Sequence, residues 1–281
     1  MVRLAFVWAA LPVLLACSSP EAMGENIGLA DGESAQEALD RRLAPRAEES
    51  RFRDEDARGE AAREFVHYWP RQVSAIAPLA AMLGEARDTE LAKQKAEWDQ
   101  SVAEFARPDG TYECYSCVNR SYSKGWEVTA DTPRFLVLTG ETYTYTGGAH
   151  GNTEFDALLW DREANGGEGE AMNPVELFAS PAALEAAARA DYCEALLVAR
   201  GERLEMNIEG LDPQENCPSL AELVVVLASA DGKTFDSIQF LAAPYVVGSY
   251  AEGSYQIGIA ISEAVLDAVK PEYRGEFTSR L

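Results

Sequence analysis

The chain has 281 residues, of which 24 are Lys or Arg and 47 are Asp or Glu, for a formal net charge of −23. Hydrophobic residues make up 47% and charged residues 25%, a globular composition rather than a disordered or collagenous one. This charge excludes a general nucleic-acid binder and adhesion to an anionic membrane through a basic patch, while it permits a basic partner.

Residues 1–16 read as a lipoprotein signal peptide. Arg3 supplies a positive start, and residues 4–16 are an apolar run interrupted only by Pro12. That run is too short for a membrane span, which needs roughly 20 residues. It ends in Leu14-Leu15-Ala16-Cys17, which resembles the bacterial lipobox. The resemblance implies cleavage before Cys17, acylation of its sulfur, and membrane attachment through that lipid alone. Ser18, rather than an aspartate, implies outer-membrane sorting toward the periplasm in a Gram-negative cell. The expected location is therefore the cell envelope, lipid-anchored.

Residues 17–58 read as a lipidated flexible tether, with few large apolar residues and many charges of both signs. Residues 59–108 read as a helical segment. Phe65, Trp69, Val73, Ile76 and Leu83 recur at helical spacings, complicated by Pro70 and Pro78, with Gly84 as a stop. A second helix carries Leu91, Trp98, Val102 and Phe105 on one face and ends at the Pro108-Asp109-Gly110 turn. Residues 109–281 then read as an α+β domain, an antiparallel sheet packed with helices and preceded by that helical pair.

Within it, residues 112–122 read as extended, and Trp126, Val128 and Ala130 alternate as a strand. Residues 135–146 and 153–160 predict an antiparallel hairpin around a glycine-rich connection. Ser180-Pro181 opens a helix whose buried face is Leu184, Ala188, Tyr192, Leu196 and Ala199, with Gly201 as its stop. Residues 220–227, 235–241 and 255–261 predict three more strands, and 264–269 a short helix.

Cys114, Cys117, Cys193 and Cys217 are even in number in an exported chain, which favours disulfides. Three pairings are possible. Cys193 with Cys217 and Cys114 with Cys117 is the favoured one. The first bond closes a loop of about 25 residues, worth roughly 3–4 kcal/mol in the chain-entropy model. The Cys114/Cys117 pair supplies half a zinc site at most, and the segment does not read as the strand-to-helix setting of a redox motif. No metal and no cofactor is expected.

The sequence has two histidines, His67 and His150, and no G-x-S-x-G, phosphate-binding or dinucleotide-binding motif. No catalytic residue is assigned. The most unusual segment holds Tyr143, Tyr145, Gly147, Gly148, His150, Gly151 and Asn152. Its glycines allow positive φ and close backbone approach. It reads either as a tight structural turn or as a contact loop. A second segment holds Tyr245, Tyr250 and Tyr255, tyrosines able to form a binding surface or to cover a sheet end.

These segments carry a family resemblance. Tyr143-x-Tyr145-Thr146-Gly147-Gly148-Ala149-His150-Gly151-Asn152, followed by Phe155-Asp156, resembles the signature of the RsiV-like extracytoplasmic domain, also found in the N-terminal module of PdaC-type proteins. Asn173-Pro174-Val175-Glu176-Leu177-Phe178 resembles the family's step before its helix, and residues 244–253 resemble its C-terminal element. The resemblance covers roughly residues 90–265. It implies an α+β fold, work at the cell envelope, and binding of lysozyme-like basic proteins or of peptidoglycan. It does not cover the leader and tether, and no transmembrane helix of the RsiV kind is expected. The expectation is a non-catalytic recognition domain; the alternatives are an enzyme acting on cell-wall glycan through His150 and a carboxylate, or a structural outer-membrane scaffold.

Overall fold

The computed structural model describes residues 49–280. The expected leader, the lipidation site Cys17 and tether residues 17–48 lie outside these residues. Two strands, β1 (Glu49–Arg58) and β2 (Ala61–Pro70), form an antiparallel hairpin that turns at Gly59, whose φ is +64°.

This hairpin corrects two expectations. Seven of the ten β1 residues are charged, which reads as a solvated tether; here they lie on a sheet edge, where charge is tolerated. The strand is held by its ladder with β2 and by Phe52, which meets Phe65 edge to face at 6.2 Å. On β2, Phe65 and Trp69 are four residues apart, a spacing that fits a helix or alternate positions of a strand. Ala61, Arg63, Phe65, His67 and Trp69 are all buried on one face, so polar Arg63 and His67 mask the strand alternation.

A short helix α1 (Arg71–Ser74) leads into α2 (Ala77–Phe105). The two expected helices are thus one 29-residue helix after a brief first turn. Gly84 does not stop it: a Cβ there would meet nothing within 4 Å, and glycine costs a helix only about 1 kcal/mol relative to alanine. Leu79, Leu83, Gln94, Trp98 and Ser101 form its buried stripe.

The short helix α3 (Tyr115–Val118) interrupts the stretch expected to be extended. Strands β3 (Arg120–Asp131), β4 (Phe135–Tyr145), β5 (Asn152–Asp161) and β6 (Glu170–Met172) follow. The large sheet has the order β1-β2-β3-β4-β5-β6, antiparallel except for the β2–β3 pair. That pair is parallel because the chain between them crosses over through α1, α2 and α3.

Helix α4 (Pro181–Leu204) is capped by the Ser180 hydroxyl, which accepts from the Ala183 amide at 3.1 Å. It runs three residues past Gly201 before the left-handed Glu205 ends it. A second, antiparallel sheet holds β7 (Val224–Ala228), β8 (Ser237–Ala242) and β9 (Tyr255–Ala260), followed by α5 (Glu263–Ala268).

Both faces of the large sheet are covered. On one, Phe135, Val137, Phe155 and Leu159 pack with Leu184, Tyr192 and Leu196 of α4 and with Ile238 and Phe240 of the small sheet. On the other, Leu136, Leu138, Trp126 and Trp160 pack with Trp69, Val73, Leu79 and Leu83. Two-sided burial explains why Phe135-Leu136-Val137-Leu138 is an unbroken apolar run instead of an alternating one. The class is α+β. Both favoured disulfides are formed: Cys114–Cys117 spans α3 with Cα atoms 5.2 Å apart, and Cys193–Cys217 ties α4 to the chain before β7 with Cα atoms 5.7 Å apart.

Candidate functional site

The β4–β5 hairpin presents the connection that carries Gly147, Gly148, His150 and Gly151. The chain between β8 and β9 presents Tyr245 and Tyr250. The two connections meet. The His150 imidazole stacks on the Tyr250 ring with centroids 3.6 Å apart and planes 18° from parallel. Tyr245 completes the cluster, with its ring 5.6 Å from that of Tyr250 and its hydroxyl 3.4 Å from His150 Nε2. The Tyr250 hydroxyl donates to the Gly151 carbonyl at 2.9 Å.

His150 Nδ1 lies 2.9 Å from the same carbonyl. A carbonyl only accepts, so Nδ1 carries the proton and Nε2 is left to accept from Tyr245. The ring nitrogens are thus engaged by a carbonyl and a phenol, not by a carboxylate or a nucleophile. This arrangement orients the ring; it does not poise it as the base of a triad.

Glycine is required at two places. Gly147 has a φ of +108°, and a Cβ there would come within 2.8 Å of the Ser116 carbonyl. The loop therefore rests on α3, the turn closed by the Cys114–Cys117 bond. At Gly151 a Cβ would fall 2.4 Å from the Tyr143 ring, so the buried glycine is the floor on which Tyr143 lies. Tyr145 holds the loop's near side, its hydroxyl donating to the Gly148 carbonyl at 3.2 Å.

The tyrosine segment has its own anchor. Glu252 accepts from Arg200 of α4 through both carboxylate oxygens at 3.1–3.2 Å and from the Tyr255 hydroxyl at 3.1 Å. Burial opposes its ionisation, but Tyr255 and Arg200 outweigh that and hold the carboxyl below its usual range. Arg203 lies over the Tyr255 ring at 3.9 Å and donates to the carbonyls of Glu252 and Ser254. Tyr245 itself takes a positive φ of 74° and is 62% exposed, an unfavourable backbone for a bulky residue that turns its ring outward.

The structure therefore brings Tyr143, His150, Tyr245 and Tyr250 together around Gly151, on a loop that Gly147 rests against α3. Gly148 and Asn152 are exposed at its margin. Tyr255 is a correction: it is buried to 1% exposure, because β9 alternation turns it into the core, and it supports the patch through Glu252. One contributor has no local signal in the sequence. Glu252 is one acid among 47, and its contacts with Tyr255 and with Arg200, 52 residues away, distinguish it.

Among the described residues, no helix is long and apolar enough to cross a membrane, and no group of three or more His, Cys, Asp or Glu is placed to hold a metal ion. No protein-family model matches the chain, and no curated protein does. The solved structures that resemble it include two DUF3298 family proteins. One, from Pseudomonas aeruginosa PAO1, is 15% identical with a TM-score of 0.47, covering 83% of this chain and 97% of its own. The other, from Bacteroides fragilis NCTC 9343, is 15% identical with a TM-score of 0.46, covering 82% of this chain and 96% of its own.

Proposed function

We propose that the protein is a cell-envelope lipoprotein whose domain recognises a ligand without transforming it, and that the ligand is a basic protein of the lysozyme type. The observation that carries this reading is the convergence of the two motif segments, about 100 positions apart, on one exposed Tyr–His patch. Tyrosine rings offer large contact area at small entropic cost, with a polar tip that tolerates water in the free state. The rings are held in place before binding by Gly151 and by the Arg200–Glu252 anchor, and preorganisation of this kind favours affinity. The net charge of −23 steers a cationic partner toward the chain.

The test is titration of the protein with lysozyme at low and at moderate salt, because surface attraction is screened over about 8 Å at physiological ionic strength. Tight binding that persists in salt and falls at least tenfold in Tyr245→Ala supports the reading. Binding that vanishes with salt overturns it. Retention on purified peptidoglycan in its place would shift the ligand to glycan. Turnover of peptidoglycan that disappears in His150→Ala would replace recognition with catalysis.

A further inference from the structure

The layer formed by α4 and the small sheet does not reach across its whole face of the large sheet. From β3 its core takes only Ala130, and from the described residues of β1 and β2 it takes none. The alternate positions Glu64, Val66 and Tyr68 of β2, and Ser121 and Ser123 of β3, lie on the uncovered part, each only half-buried. On β4, Glu141 and Tyr143 share that face and are exposed, and Tyr143 is the register partner of Ser123. Tyr143 also lies on Gly151, so the open face and the Tyr–His patch meet at one side chain.

The patch is too small to hold a protein by itself. A stable interface takes roughly 800 Å² from each partner. Tyr245 is 62% exposed, Tyr143 38%, and Tyr250 less than either. Tyrosines of roughly 200 Å² each, exposed to that extent, supply less than half of the area. A partner seated on the patch must therefore cover adjoining surface, and the open face adjoins it through Tyr143.

The charge of this face selects the partner. Its strand positions carry Glu49, Glu55, Glu64, Glu127 and Glu141 against Arg51 and Arg53. Arg51 already pairs with Glu49 at 3.7 Å, and Arg53 with Glu64 at 2.9 Å and with Glu55. Glu141 differs. Partial burial and the like charge of Glu127 push its carboxyl above the ordinary range. It stands at an enclosed pocket of about 330 Å³ between the open face and the rim of the small sheet, lined also by Tyr68, Thr139, Phe155, Gln239 and Gln256. Tyr68 is laid across Gly125, where a Cβ would overlap its ring. An anion would meet two glutamates here, and an apolar group would leave Glu141 desolvated without a partner. Among the described residues these carboxylates belong to no group able to hold a metal ion. The carboxylate, amide and hydroxyl oxygens suit an ammonium or guanidinium head, and Tyr68 and Phe155 suit its apolar stem.

We infer that the partner's contact surface runs from the Tyr–His patch across the open face of β2–β4, and that a lysine or arginine side chain of the partner enters the pocket at Glu141. This surface takes the basic protein proposed above and, resting on that reading, adds Glu141 as a residue that selects it.

The experiment is calorimetric titration of the full chain with lysozyme at physiological ionic strength, comparing wild type with Glu141→Gln, Ser123→Lys, Glu104→Gln and Tyr245→Ala. Affinity is expected to fall at least tenfold in Glu141→Gln and in Ser123→Lys. It should stay within twofold of wild type in Glu104→Gln, an equal charge change on α2, over the opposite face of the sheet. Glu141→Gln, a near-isosteric change at an exposed position, serves if Ser123→Lys fails to fold. Binding that Tyr245→Ala weakens and Glu141→Gln leaves unchanged overturns the pocket while the patch reading stands. Equal losses in Glu141→Gln and Glu104→Gln overturn it too, because general charge then accounts for both. A homodimer in sedimentation that Ser123→Lys dissociates would give the face to a second copy and overturn it as well. No binding by wild type overturns the basic-protein reading and this surface with it.

Discussion

The imidazole of His150 lies flat on the ring of Tyr250, 3.6 Å between centroids, and both side chains bond to the Gly151 carbonyl. One backbone oxygen thus joins the β4–β5 connection to the β8–β9 connection. In His150→Ala the stack and one of the two bonds are lost, but the Arg200–Glu252 anchor remains. Stability is expected to fall by only about 1 kcal/mol, while partner affinity falls at least tenfold. Denaturant unfolding and titration of the same variant check the two halves; a large stability loss would make the pair a core contact instead.

Removing the anchor has the opposite balance. Glu252→Ala leaves Arg200 without its carboxylate and Tyr255 without its acceptor, both partly or fully buried. The expected cost is about 2–3 kcal/mol, with the Tyr245–Tyr250 segment loosened. Because the Glu252 carboxyl is held below its usual range, its contribution is present at neutral pH and is lost as pH falls through the depressed value. The stability gap between wild type and Glu252→Gln should therefore persist at mildly acidic pH and close only in strong acid.

His67 predicts a different acid response. Burial pushes its imidazole from the ordinary 6.5 down to about 4, aided by the nearby charges of Lys124 and Arg87 and opposed by Asp88. The unfolded chain then takes up a proton that the folded one refuses. Stability from this residue is intact above pH 6.5 and drains away as pH falls toward 4, by up to about 3 kcal/mol. Urea unfolding of wild type and His67→Phe across this range should give curves that converge toward neutral pH and separate in acid, the variant losing less. Parallel curves would show that His67 already protonates freely in the fold.

The two disulfides should divide stability from function. Cys193–Cys217 spans 24 positions and, by loop entropy, contributes about 3.5 kcal/mol; Cys114–Cys117 spans 3 and contributes about 1.6 kcal/mol. Replacing the first pair by serine should lower the unfolding midpoint strongly, more so because Cys193 is fully buried. Replacing the second should cost less stability and more partner affinity, since α3 supports the loop at Gly147. Chemical denaturation of the two double variants, followed by partner titration, distinguishes these effects.

Much of the domain was legible from local pattern. The β4–β5 hairpin, the Ser180 cap of α4 and the strand alternation of β9 follow from periodicity and turn chemistry, while the structure selects the favoured one of three possible disulfide pairings. The start of the domain was not. Phe65 and Trp69 fit two periods, and the same-face positions that would decide, Arg63 and His67, hold polar side chains that are nonetheless buried. Likewise β1 has no apolar pattern of its own; its ladder with β2 makes it a strand.

The candidate site divides in the same way. Sequence by itself determined which residue types were unusual: glycines around a histidine, and tyrosines around a glycine turn. It also determined the charge, which permits a basic partner. Tertiary structure decided that these two segments touch, that Tyr255 faces inward while Tyr245 faces out, and that one glutamate among many is the anchor. It decided as well that Tyr68, Glu141 and Gln256 share a pocket. Local pattern records what each residue does to its own backbone, whereas these relations join positions tens of residues apart, and only the packing of α2 and the two sheets fixes them.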